Sequence, residues 1–285
     1  MNNCTAFKKP GIVTLIIITA LSAFILFGCG GDKGQTVTSQ VVKVGLVGEE
    51  IKLAWEKVVE LMAAEGVKVE LVTFSDYATP NRALHDGEID LNSFQHNAFL
   101  QAEIANHGYR IRHFGNTVLY FLGVYSNKIR NLSELRNGDT IMIMNDATNG
   151  GRALKVLEAA GVIRVDPSKG NLPTVHDIIE NPKNIRIVEV DAPFVYRNLD
   201  DPQVIAGISN SAFVSDAGHN PGEVAIFIKP IDFTADEQYI NIIAGRDEDA
   251  DNPVLKRIVA AFQSEEVRRI ILEVPPMKGT ALPAW

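Results

Sequence analysis

The stretch VVKVGLVGEEIKLAWEKVVELMAAEGVKVELVTF, Val41 to Phe74, carries two hydrophobic periods in succession. Val41–Val47 is a short apolar run rich in β-branched residues and reads as a strand. From Glu49 to Ala64 the period changes: Ile51, Ala54, Trp55, Val58 and Met62 recur at helical spacing, and Gly66 stops the helix. Val67–Phe74 returns to a β-rich run. Strand, helix and strand in this order predict a βαβ unit and hence a parallel pair.

The alternation continues outward from this unit. A strand is expected at Ile89–Asn92, a helix at Gln95–His107 stopped by Gly108, and a strand or pair of strands through Ile111–Tyr125. Further on, Thr140–Met144, Ile185–Val190 and Val204–Ile208 read as strands and Gly151–Ala160 as a helix closed by Gly161, which gives a second α/β lobe. Val224–Ile228 and Tyr239–Ala244 are late strands. Pro253–Val274 is mostly helical, with Ser264 capping its second segment. Two lobes in one chain meet at a cleft, and ligands in open α/β sheets sit beyond the carboxyl ends of strands. Polar residues stand at those places: Ser75-Asp76-Tyr77, Ser93-Phe94-Gln95-His96, Asn145-Asp146 and Ser209-Asn210.

Before Val41 the composition is different. Lys8 and Lys9 precede an apolar run from Ile12 to Phe27, a secretory pattern. The run ends in Leu26-Phe27-Gly28-Cys29, which resembles the bacterial lipobox, so residues 1–28 are expected to be removed and Cys29 acylated. An uncleaved membrane anchor ranks second, because spanning takes roughly 20 apolar residues. Residues 30–40 are small and polar and read as a flexible tether that reaches roughly 35 Å when extended.

The chain has 27 basic and 35 acidic residues, and loss of Lys8 and Lys9 leaves 25 against 35, a net charge of −10. Nucleic acid is excluded as a natural partner. Both cysteines, Cys4 and Cys29, lie before the folded part, which therefore has neither a disulfide nor a thiolate metal site to rely on.

Several residues could carry chemistry. Thr140–Leu154 runs from strand through a Gly-containing loop into a helix whose first-turn amides attract anions, with Arg152 placed in that turn to grip a carboxylate. The plainer reading is a capped helix with a surface arginine. His96 with Asp76 or Asp90 could form a general acid–base pair, but no nucleophile accompanies them. His85, Asp86, Glu88 and Asp90 could be drawn as a metal cluster, though turn chemistry around Gly87 explains them equally. Tyr77, Phe94 and Tyr120 suit an apolar pocket with a polar edge, or core. Asn210 and Asn241 each interrupt apolar strands and need partners, in the fold or in a ligand.

Taken together, five ordered blocks resemble the methionine-binding lipoproteins of ABC importers, the NlpA-type family. They are Phe74-Ser-Asp-Tyr-Ala-Thr-Pro-Asn-Arg-Ala-Leu84, Gly87-Glu-Ile-Asp-Leu-Asn-Ser-Phe-Gln-His96, Asn145-Asp-Ala-Thr-Asn-Gly-Gly-Arg-Ala-Leu154, Glu180-Asn-Pro-Lys183 and Tyr239-Ile-Asn241. The resemblance implies a two-lobed, type II-like periplasmic-binding-protein fold, each lobe a mainly parallel sheet flanked by helices, with the ligand in the interlobe cleft. It places residues 41–121 and 226–285 in the first lobe and 122–225 in the second, with crossings near Phe121 and Ala225.

The family's ligand contacts map onto Tyr77, Phe94, His96, Arg152, Asn210 and Asn241. Arg152 would take the ligand carboxylate, Asn210 and Asn241 its polar amino-acid end, and Tyr77, Phe94 and His96 its side chain. The implied partners are an amino-acid ligand such as methionine, an ABC permease with its ATPase, and the extracytoplasmic face of a membrane reached through lipidated Cys29, for a monomeric protein without cofactor, metal or enzymatic activity. Three departures stand out: Asn210 is aligned by counting back from Gly218, Phe213 replaces a frequent Tyr, and Asn145-Asp146 follows Met144 where Pro is usual. A different amino-acid ligand and a surface interaction lipoprotein are the alternatives.

Overall fold

The structure, a computed structural model, describes residues 41–285; the signal segment, Cys29 and the tether lie outside the described residues. The chain begins with β1 (Val41–Val47), α1 (Lys52–Ala64), β2 (Lys68–Phe74), α2 (Thr79–His85), β3 (Leu91–Asn92), α3 (Asn97–His107) and β4 (Ile111–Tyr120). After Phe121 come β5 (Leu122–Tyr125), β6 (Thr140–Met144), α4 (Ala147–Ala159), β7 (Arg164–Val165), β8 (Ile178–Glu180), β9 (Arg186–Val190) and α5 (Ala192–Arg197). The same lobe continues through β10 (Ala206–Asn210), α6 (Ser211–Asp216), α7 (Pro221–Val224) and β11 (Ala225–Ile228). The chain closes with β12 (Ile240–Arg246), α8 (Pro253–Phe262), α9 (Glu265–Glu273) and β13 (Ala281–Pro283).

These strands form two main sheets, one per lobe. The first has six strands in the order β13-β4-β12-β3-β1-β2, the second five in the order β11-β5-β10-β6-β9, and β7 and β8 pair separately. The expected βαβ unit is present, with β1 parallel to β2 from Val41 opposite Lys68 to Val47 opposite Phe74. Both main sheets are mixed where mainly parallel ones were expected. β12 runs antiparallel to β3 and β4, and β5 runs antiparallel to β10 and β11. The parallel expectation assumed a crossover helix between neighbours, and a strand entering from the other lobe has none. The second crossing also moves: β11 pairs with β5 in the second sheet, so the chain leaves that sheet after Ile228 and not at Ala225.

Each sheet is backed by its own core. In the first lobe α1 turns Ala54, Trp55, Val58 and Met62 inward, all fully buried, and Trp55 meets Phe262 of α8 at 5.0 Å between ring centres. Removing a buried Trp side chain costs about 3–5 kcal/mol, so this contact is a main attachment of the C-terminal helices. The second core gathers Ile141, Ile143, Leu154, Leu157, Val195 and Ile208. Helix α1 begins at Lys52, later than the expected Glu49, because residues 48–50 are drawn across to the second lobe.

Candidate functional site

The strand ends that face the cleft are held rigidly. Behind the loop after β3, Asn81, Asn92 and Gln95 form a buried amide cluster: Asn81 Nδ2 donates to Gln95 Oε1 at 2.8 Å, Gln95 Nε2 to Asn92 Oδ1 at 3.0 Å, and Asn92 Nδ2 to Asn81 Oδ1 at 2.9 Å. Satisfied networks of this kind fix backbone position in a low-dielectric interior. They aim Phe94 and His96 into the cleft.

His96 is the N-cap of α3. Its Nδ1 accepts the Phe99 N–H at 3.0 Å, which leaves the ring proton on Nε2, 3.4 Å from Asn149 Oδ1 across the cleft. Burial, reinforced by the Arg152 charge, pushes its pKa down to about 3, so the ring is neutral at physiological pH. The acid–base pair considered from sequence is not assembled. Asp76 accepts the backbone N–H groups of Ala78 and Thr79, and Asp90 accepts from Lys43 N and Arg246. His85, in turn, accepts the Arg110 N–H through Nδ1.

Arg152 sits deeper in α4 than the sequence suggested. Asp146 caps the helix by accepting from Asn149 N at 2.9 Å, so α4 starts at Ala147 and Arg152 lies in its second turn; the helix-start amides serve Asp146. Gly150, expected in the loop, and Gly151, expected as the first residue of the helix, both lie inside it. A Cβ on Gly150 would stand 2.8 Å from Met144 O, and one on Gly151 2.9 Å from Asn171 O, so only glycine allows this approach.

Arg152 is 8% exposed as a residue; its guanidinium donates from Nη2 to Tyr120 O at 2.7 Å and lies 4.7 Å from the centre of the Tyr239 ring. Among the described residues it forms no ion pair with a carboxylate. Burial lowers its pKa, yet guanidinium stays charged in proteins. A buried cation with one hydrogen bond and a π face is only partly compensated.

One cavity brings all six expected residues together. It encloses about 650 Å³ including its mouth, with Tyr77, Phe94, His96 and Asn241 from the first lobe and Arg152 and Asn210 from the second. Asn210, at the end of β10, donates from Nδ2 to Asn149 Oδ1 at 3.1 Å, while its own Oδ1 is buried without a partner. Asn241 donates to Phe94 O at 3.2 Å. Tyr77 packs 5.7 Å from Phe94 and 5.2 Å from Phe213, so the replaced aromatic still completes this wall. Burial raises the Tyr77 pKa and keeps it a phenol.

Three contributors had no role assigned from sequence. Asn149 stands one helical turn before Arg152 on the same face, a spacing that could have revealed it. Tyr239 packs on both Arg152 and His96, the latter at 5.3 Å. Glu50 also lines the cavity and is buried; beside Glu49 it reads in sequence as a solvated helix start.

With this geometry in view, the comparisons are specific. Residues 42–285 match the NlpA lipoprotein family. The D-methionine-binding lipoprotein MetQ of Escherichia coli (strain K12) is 38% identical over 268 residues, 93% of this chain and 95% of its own length. Outer membrane lipoprotein 2 of Mannheimia haemolytica is 34% identical over 287 residues, 98% of this chain and 99% of its own. Among solved structures, a nutrient-binding protein from Burkholderia cenocepacia bound to methionine superposes with a TM-score of 0.79 at 35% identity, covering 86% of this chain and all of that one, 100%. The chain belongs to the NlpA lipoprotein family.

Proposed function

We propose that the cleft binds methionine or a close relative and that the protein, anchored through Cys29 on the outer face of a membrane, delivers this ligand to the permease and ATPase of an ABC importer. The observation that carries the reading is Arg152: a buried guanidinium that, among the described residues, has no carboxylate partner and lines the cavity between the lobes. A ligand carboxylate gives it the counter-charge that the fold withholds, in the parallel two-bond geometry that guanidinium favours.

The rest of the zwitterion follows from the remaining wall. The unpartnered Asn210 Oδ1 is an acceptor for the ligand ammonium, with Asn241 opposite. The thioether lies against Tyr77 and Phe94, where sulfur–aromatic contact is favourable by about 0.3–1.5 kcal/mol. Because contacts come from both lobes, ligand favours the closed state. The names of the E. coli relative and of the B. cenocepacia structure support this ligand class.

Calorimetric titration of protein stripped of bound ligand, with L-methionine, D-methionine, methionine sulfoxide, a methionyl dipeptide and other amino acids, tests the reading. Saturable heat at one site is expected for methionine or one of its relatives. Heat only with an unrelated amino acid would reassign the ligand, and no heat with any of them would overturn the proposal.

A further inference from the structure

Residues 48–50, between β1 and α1, reach across from the first lobe onto α6 of the second. The Glu49 N–H donates to Asp216 Oδ1 at 2.9 Å. Gly48, at φ +78°, approaches α6 so closely that a Cβ would stand 2.9 Å from Ala212 Cβ. Glu50 follows at the junction itself. Its Oε1 lies 2.8 Å from Thr280 Oγ1 of the first lobe, Ser211 at the start of α6 lines the same cavity, and Oε2 is buried without a partner.

Thr280 gives the carboxyl limited support. Its hydroxyl is 3.0 Å from Pro276 O and 2.9 Å from Met277 O, two groups that only accept, and it has one hydrogen to give. That single hydrogen is shared between Glu50 Oε1 and the two carbonyls, so Thr280 offers an ionised Glu50 at most one hydrogen bond. Among the described residues no cation pairs with it: the Arg152 guanidinium lines the same cavity but donates to Tyr120 O. Asp216 on α6 is acidic, Ser211 and Thr280 are hydroxyls, and the Glu49 carboxylate is paired with Lys52 at 2.8 Å. Tyr77, Tyr120 and Tyr125 are phenols whose ionisation burial opposes. An ionised Glu50 would leave a charged oxygen buried without a partner.

We propose that Glu50 is a proton-linked latch between the lobes: closing the cleft around its ligand takes up a proton at this carboxyl, and loss of that proton loosens the closed state. The proposal rests on the methionine reading and adds a control of affinity to it. In the closed junction, burial, opposed by the nearby Ser211 and Thr280 hydroxyls and assisted by Asp216, holds the carboxyl at about 7, against 4.5 when solvated. The closed state thus binds more protons than the open one between these values. Closure is fully supported below the lower value and weakens as pH rises through the upper one. With those two values, affinity falls about 30-fold between pH 5.5 and 8.5.

Titration calorimetry with L-methionine on wild type and Glu50→Gln, at both pH values and in buffers of different ionisation heat, reads this directly. Wild type is expected to weaken about 30-fold at pH 8.5 and to take up close to one proton per ligand near pH 6. Glu50→Gln, neutral at every pH, is expected to lose both effects. The same pH profile in both proteins, or no proton uptake by wild type, would overturn the latch; should Glu50→Gln not fold, the wild-type buffer dependence decides alone. If no ligand binds at all, the methionine reading falls, and infrared pH-difference spectra decide the latch: a carboxylic-acid band present at pH 6 and lost by pH 8.5 supports it, and its absence overturns it.

Discussion

Replacing Arg152 with Met separates a ligand anchor from a structural arginine, because the two roles predict opposite balances of affinity and stability. In the ligand-free protein the guanidinium is buried with one hydrogen bond, to Tyr120 O, and the Tyr239 ring beneath it. Methionine keeps much of the apolar stem and removes an uncompensated charge, while Tyr120 O loses a bond worth about 1 kcal/mol. These effects oppose one another, so Tm is expected to stay within about 2–4 °C of wild type for a domain of this size. Affinity behaves differently. Truncating one partner of a buried charge pair costs about 2–5 kcal/mol, or roughly 30- to 4,000-fold in Kd. Arg152→Lys, which keeps the charge and loses the planar fork, should fall between. Calorimetry for Kd and differential scanning for Tm check both quantities. Methionine binding within threefold of wild type, or an affinity loss that merely tracks a large fall in Tm, would refute the reasoning.

Four further outcomes follow from the same geometry. Asn210→Leu removes the unpartnered acceptor and should weaken methionine binding by about tenfold or more by calorimetry, since a charged-group hydrogen bond contributes about 1.5–3 kcal/mol. His96→Ala deletes the α3 cap at a cost of about 1 kcal/mol in chemical denaturation at pH 7.5; since the folded ring stays neutral while the unfolded one takes up a proton below 6.5, that cost should be smaller at pH 5.5, and a larger cost at the lower pH would contradict its assignment. Gly150→Ala drives a methyl toward Met144 O and should destabilise by about 1–3 kcal/mol in urea titration, with weaker binding as α4 shifts. With Cys29 as the proposed acylation site, Cys29→Ser should release the protein from membranes in fractionation while leaving affinity unchanged.

Much of this was legible in the chain because strand and helix periods are local properties. Val41–Phe74 shows its βαβ unit directly, and α3, β6 and α8 follow from similar runs. Partner direction is not local, so the antiparallel entry of β12 and the place of β11 in the second sheet were missed. The shortest elements were missed for another reason: α2, α5, α6 and α7 have too few turns to display a period, and β13 contains Pro283, which is tolerated at a sheet edge. At the site, the six residues of the family pattern do converge on one cavity. Glu50 was invisible because acidic residues at a helix start are ordinarily solvated, and only the docking of residues 48–50 on α6 removes it from water.

A crystal structure of the protein grown with L-methionine tests the central claim most directly. One ligand is expected between the lobes, its carboxylate on the Arg152 guanidinium, its ammonium at Asn210 Oδ1, and its thioether against Tyr77 and Phe94. A ligand bound elsewhere, or seated in this cavity with its carboxylate away from Arg152, would contradict it.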